Sequence, residues 1–204
     1  MIKPKIFKDS TSQVHQESFV LNLLKEKTNG FYLELGGGWA IESSNTYLLE
    51  SKYGWSGVSF ENDPKRAEDY NKIRKNKTLC EDATTFNYLE YLDLIGCPKQ
   101  IDYLQMDLHP AYNTFKALKQ LPLDKYRFST ITYEHNQYAT KKNKAMQLES
   151  QEIFKSLGYI LVAEDILIGK HPYEDWWVDP NVIDISDYEP FLSSGSDPNT
   201  LFVI

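Results

Sequence analysis

The chain predicts an α/β fold: a Rossmann-like, doubly wound domain on a seven-stranded, mostly parallel sheet with an antiparallel C-terminal strand. Three observations carry that prediction. Apolar runs of strand length alternate with helical patterns along most of the chain. The stretch from Gly30 to Pro64 reads as strand, glycine loop, helix and second strand, with an acid at the end of each strand. The later run Ile101–Met106 is nearly continuously apolar, as expected for the middle of a parallel sheet, and Phe128–Tyr133 reads as a further strand beside it.

Taken in order, residues 13 to 27 form a first helix, with Phe19, Val20, Leu23 and Leu24 as its apolar stripe. Phe31 to Leu35 is the first strand, carrying Glu34 just before Gly36, Gly37 and Gly38. Ser43-Ser44-Asn45 starts a short helix that stops at Gly54, and Gly57 to Phe60 is a strand closed by Glu61. Asp63-Pro64 caps a helix to about Asn76. A short strand, Thr78 to Glu81, precedes a helix from Thr84 to Leu94. The Ile101 strand ends in Asp107-Leu108-His109-Pro110, and a helix follows from Ala111 to Leu121. The Phe128 strand delivers Glu134-His135-Asn136, then a helix runs from Asn143 to Leu157 and a strand from Tyr159 to Ile166. The segment from His171 to Pro180 is aromatic, acidic and without a clean period, so it reads as a long loop. Leu201 to Ile204 is the antiparallel closing strand. The parts form one domain: an N-terminal arm and helix (1–27), a cofactor-binding core (28–168), and an aromatic loop with closing strand (169–204).

A chain of 204 residues suits one domain with a two-sided core. The net charge of −7 argues against a nucleic-acid backbone as partner, and Lys141-Lys142-Asn143-Lys144 reads as a solvated helix face. Cys80 and Cys97 fit neither a disulfide framework nor a zinc spacing, which points to a reducing compartment. The first residues lack the apolar region of a signal peptide, and no stretch is long enough to span a membrane. A cytoplasmic protein without a membrane partner is expected.

The glycine loop separates two cofactors. A dinucleotide needs G-x-G-x-x-G and free amides for its pyrophosphate, but the third glycine position here is Ile41, beside Ala40. Glu34 would repel a phosphate and suits a cation, such as the ammonium of S-adenosylmethionine. Glu61 can accept hydrogen bonds from ribose hydroxyls of either cofactor. S-adenosylmethionine is favoured over NAD.

These motifs carry a resemblance to the FkbM-like methyltransferases. It begins at Ser12-Gln13-x-x-Gln16-Glu17-Ser18-Phe19-Val20 and continues through Gly30-Phe31, Glu34-x-Gly36, Ser44-Asn45-Thr46, Gly54-Trp55-x-Gly57 and Glu61-x-x-Pro64. Ile101 to Asp107 and Ile131 to Asn136 are similar to that family's fourth and fifth strand motifs. The chain departs from the pattern at Trp39-Ala40 and at His109-Pro110. The resemblance implies a cofactor held by Glu34, Gly36, Gly37, Gly38, Asn45, Glu61, Asn62, Asp82, Ala83 and Asp107, with Asp82 at the adenine edge unless it only caps a helix. It also implies that Gln13 and Gln16 face the ligand unless they are surface residues of a packing helix.

Methyl transfer asks for an aligned nucleophile and often for a base. Asp107, His109, Glu134 and His135 stand at the ends of neighbouring central strands, with His109 preferred as base and Glu134 or Asp107 orienting it. The alternative is that Glu134-His135 ties loops together. The same groups with Asn136 offer a divalent-metal site as the less favoured option. Of Trp176 and Trp177, one ring is expected as a core anchor and one as a substrate contact, with Tyr173 and Asp175 beside it. The expected acceptor is a hydroxyl on a small molecule or glycan. A non-catalytic binding protein and an NAD-dependent oxidoreductase are the competing readings.

Overall fold

The computed structural model describes residues 4–203. Its first helix, α1 (Gln16–Leu23), is shorter than its apolar pattern suggests. The chain enters it through His15 at φ 68° and leaves towards Lys25 and Glu26, which also have positive φ. β1 (Phe31–Leu35), α2 (Tyr47–Ser51) and β2 (Ser56–Phe60) then form the predicted opening unit. α3 (Pro64–Ile73) starts as its sequence dictates, with the Asp63 side chain accepting from the N–H groups of Lys65 and Arg66 and proline in the first turn.

β3 (Thr78–Leu79) is brief, and α4 (Tyr88–Leu94), capped by Asn87, begins four residues beyond the predicted start at Thr84. β4 (Gln100–Met106), α5 (Tyr112–Leu118), β5 (Arg127–Glu134) and α6 (Lys141–Ser156) follow, with Thr140 capping α6. β6 (Ile160–Ile168), β7 (His171–Val178), α7 (Ile185–Tyr188) and β8 (Ser193–Ser194) complete the chain.

The sheet order is β3-β2-β1-β4-β5-β7-β6-β8. β3, β2, β1, β4 and β5 are mutually parallel, and β7 lies antiparallel between β5 and β6. This is a Rossmann-like, doubly wound α/β fold. The predicted class holds, with eight strands rather than seven because the two-residue β8 adds to the edge. The placement of the antiparallel strand does not hold. It is β7, in the segment read as a loop, whereas Val203 near the C-terminus makes only an isolated parallel bridge to Lys5. Ile204 lies outside the described residues.

The reason is visible in β7. Trp176 and Val178 pack on the face carrying Phe19 of α1, and Trp177 packs on the opposite face with Phe154 of α6. A strand buried on both faces has no alternation to read. One core layer joins α4, α5 and α6 to the sheet; the other joins α1, α2 and the C-terminal segment through Phe191 and Phe202.

Candidate functional site

β1 is the switch point of the sheet: the chain continues outwards through β2 on one side and β4 on the other. Gly36, at φ 94°, lets their ends meet, because a Cβ there would fall 1.9 Å from the Asp107 carbonyl oxygen. Above this junction lies a cleft of about 410 Å³. All ten residues assigned to the cofactor, from Glu34 to Asp107, line it, as do Gln13 and His109.

The loop's hydrogen bonds define what the cleft offers. The N–H groups of Gly36 and Gly37 both donate to the Phe60 carbonyl, at 3.0 and 2.8 Å. Gly38 N–H donates to Glu61 Oε2 at 3.0 Å, and Glu61 Oε1 accepts from Asp63 N–H at 2.8 Å. All three glycine amides are therefore engaged by protein acceptors. Six carboxylates line the cleft (Glu34, Glu61, Asp63, Glu81, Asp82 and Asp107) against the single guanidinium of Arg66. Such a surface attracts a cation and repels a pyrophosphate.

Glu34 is buried beneath the loop and accepts hydrogen bonds from Thr46 Oγ1, Ser59 Oγ and Tyr70 Oη. Burial pushes its pKa up, while nearby Arg74 and these hydroxyl donors pull it back. Arg74 is a residue that sequence reading missed. Fully buried after α3, it donates to Glu50 (2.9 Å), to the Ala40 carbonyl and Ser44 Oγ (both 3.1 Å), and to Thr46 Oγ1 (3.0 Å). It clamps the loop from behind. A lone arginine after a polar helix gives no sequence signal of that role. Asp82 Oδ1 accepts from Thr84 N–H at 2.8 Å, so it caps a turn while lining the cleft.

At the other end of the cleft, Asp107 is raised in pKa by burial. Tyr173 Oη lies 2.9 Å from Asp107 Oδ2 and 3.1 Å from Gln13 Oε1, with one proton to share between them. His109 is exposed on the rim and Asn113 stands beside it. Gln16, in contrast, is buried and donates to Glu174 Oε2 at 3.2 Å, away from the cleft lining.

The predicted quartet of Asp107, His109, Glu134 and His135 is split. Asp107 and His109 line the cleft, whereas Glu134 and His135 do not. Glu134 is buried and bonded by Asn136. His135 is buried against α6, with Nε2 at 3.3 Å from Asp175 Oδ1 and 3.6 Å from Asp165 Oδ1. The loop-tying alternative describes this pair. The substrate assignment on β7 is also corrected: Trp176 and Trp177 have no exposed surface, Asp175 is buried on His135, and Tyr173 supports Asp107 from within the wall. A strand inside the sheet presents none of these rings to solvent.

Among the described residues, one group has donor atoms close enough to hold a cation: His135, Asp165 and Asp175, all within 4.8 Å of one another. The hydrogen bonding does not fit a metal. Gln137 N–H donates to His135 Nδ1 at 3.1 Å, which leaves the ring proton on Nε2, facing the carboxylates. Gln147 Nε2 already sits among these groups, 2.8 Å from Asp165 and 3.2 Å from Asp175 and His135. Burial raises the Asp175 pKa, but its bonds to His135, Asp165 N–H and Gln151 outweigh this and leave it lowered.

A scan against protein-family models finds no match, and a search of curated proteins finds none either. Solved structures do match. An O-methyltransferase from Bacillus cereus in complex with SAH aligns at 12% identity over 85% of this chain and 84% of its own, with a TM-score of 0.55. A suspected rRNA-methylase from Clostridium thermocellum aligns at 16% identity over 75% and 89%, with a TM-score of 0.53. A human methyltransferase 10 domain-containing protein aligns at 13% identity over 82% and 81%, with a TM-score of 0.54. These likenesses show a Rossmann-like methyltransferase fold.

Proposed function

We propose that this chain is an S-adenosylmethionine-dependent methyltransferase of the FkbM-like kind, transferring a methyl group to a hydroxyl on a small molecule or glycan in the cytoplasm. The observation that carries this reading is the acidic cleft at the switch point, with its glycine amides turned into the protein. A sulfonium and an ammonium suit that surface; a pyrophosphate does not. Both cysteines are free, in keeping with a reducing compartment.

In this reading Glu61, fixed by Gly38 and Asp63, offers its remaining lone pairs to ribose hydroxyls. Asp82 and Ala83 stand at the adenine edge. Glu34, already held by three donors, anchors the loop and supplies negative field. The cofactor supplies an electrophilic methyl carbon. When the acceptor oxygen bonds to that carbon, the bonding pair stays with sulfur and the oxygen's proton must leave. In this reading His109, on the rim of the cleft, takes it, with Asp107 as its neighbour.

The test is transfer of label from tritiated S-adenosylmethionine to a panel of hydroxyl acceptors, comparing the wild type with His109→Ala. The variant should keep its cofactor affinity and lose roughly 10²-fold or more in turnover. Turnover equal to wild type removes His109 from the chemistry.

A further inference from the structure

The acidic cleft opens onto a rim of opposite charge. Three stretches meet there, at the carboxyl end of the sheet: 109–118 after β4, 136–148 after β5, and 168–173 at the β6–β7 turn. None contains an Asp or Glu, although the chain has 29 acidic residues against 22 basic ones. They contribute Lys116, Lys141, Lys142, Lys144 and Lys170, together with His109 and His171.

Contacts join the stretches into one surface. The Tyr112 ring, three residues from His109, lies beneath Lys116 Nζ at 5.0 Å and Lys142 Nζ at 5.2 Å. Asn143 Nδ2 donates to the Asn136 carbonyl at 3.1 Å. Tyr138 stacks on His171, with ring centroids 4.4 Å apart. Among the described residues, none of these five lysines has a carboxylate partner; elsewhere some lysines, such as Lys5, Lys52, Lys72 and Lys99, are paired, and others, such as Lys8 and Lys155, are not. Tyr112 and Tyr138 remain 36% and 49% exposed, so aromatic surface lies among these lysines.

We propose that this rim binds the acceptor, and that the acceptor is a nucleoside phosphate, either a free nucleotide or a residue of a single-stranded RNA. Unpaired lysines neutralise phosphate, and exposed aromatic faces between them stack on bases. Neither feature is needed for a neutral sugar. The negative charge of the whole chain does not oppose this, because none of its acids falls in the three rim stretches. The proposal rests on the methyltransferase reading, since it assigns the acceptor of that same cleft.

The experiment is fluorescence anisotropy of a short 5′-labelled single-stranded RNA, with S-adenosylhomocysteine titrated separately into the same preparations. The wild type should bind the RNA, with affinity falling as salt rises. The double variant Lys141→Glu/Lys142→Glu should bind it at least tenfold more weakly while binding S-adenosylhomocysteine as before. Acids in the first turn of α6 favour the helix, so this variant should fold. Displacement of the probe by AMP identifies a nucleotide site; displacement by unlabelled RNA alone identifies a strand site. Binding of neither the RNA nor, by calorimetry, AMP by a protein that binds S-adenosylhomocysteine overturns the proposal, as does binding insensitive to the two substitutions. RNA binding without S-adenosylhomocysteine binding removes the cofactor reading and leaves the basic surface standing.

Discussion

Glu174, on β7, is buried with Gln16 and Trp176 as donors, and burial raises its pKa from 4.5 to about 8. An acid whose folded pKa is raised holds its proton longer in the native state than in the unfolded chain. Its effect on stability is absent below about pH 4.5, grows as pH rises, and is complete above about pH 8. The protein should therefore lose stability across that window, and Glu174→Gln should flatten this part of the profile when melting temperature is followed against pH. An unchanged slope would mean that Glu174 is ionised throughout. Glu61→Ala removes the acceptor of Gly38 N–H and the proposed ribose partner together. S-adenosylhomocysteine affinity should fall by about 1.5–3 kcal/mol, measured by calorimetry. Strand-end acids such as Glu61 and Asp107 were legible because each follows directly on an apolar run. Arg74 was not, since its partners Glu50, Ser44 and Thr46 lie far from it in sequence. Arg74→Met would leave Glu50 buried without its cation, and should destabilise the fold by about 3–5 kcal/mol in denaturant titration.

At the scale of elements, β1 and β2 and the start of α3 were readable because local chemistry decides them: an apolar run, a glycine stop, an Asp-Pro cap. β7 was not. Its acids suggested solvent, yet Asp175 is hydrogen-bonded by His135 and by Gln147 and Gln151 of α6, and Glu174 by Gln16 of α1. Those partners come from elements that only tertiary structure brings near. The same strand accounts for the dispersal of the expected catalytic quartet, because His135 turns towards α6 and β7 rather than towards the cleft. The tryptophans test this directly. Trp177 packs on Phe154 in the core, with ring centroids 5.1 Å apart, so Trp177→Ala should cost about 3–5 kcal/mol of stability in denaturant unfolding. A variant of normal stability with a raised acceptor KM would instead restore the ring to the substrate.

For the whole molecule, the sheet order sets the function-bearing geometry. It opens one crevice between β2, β1 and β4, and the chain lines that crevice with carboxylates, while the stretches after β4 and β5 carry lysines and no acids. Fold class and the residues that line the acidic cleft were legible because they depend on motifs local in sequence. The basic rim was not, because it is assembled from three separate stretches whose charges are diluted in the composition of the whole chain. Among the described residues, no helix is long and apolar enough to cross a membrane. The central claim is that the acidic switch-point cleft takes S-adenosylmethionine and rejects a dinucleotide. Isothermal titration of the purified protein with S-adenosylhomocysteine, in parallel with NAD, tests it most directly. Binding of S-adenosylhomocysteine alone, with a Kd in the micromolar range of about −8 kcal/mol, is the predicted result. Binding of NAD, or of neither ligand, would contradict it.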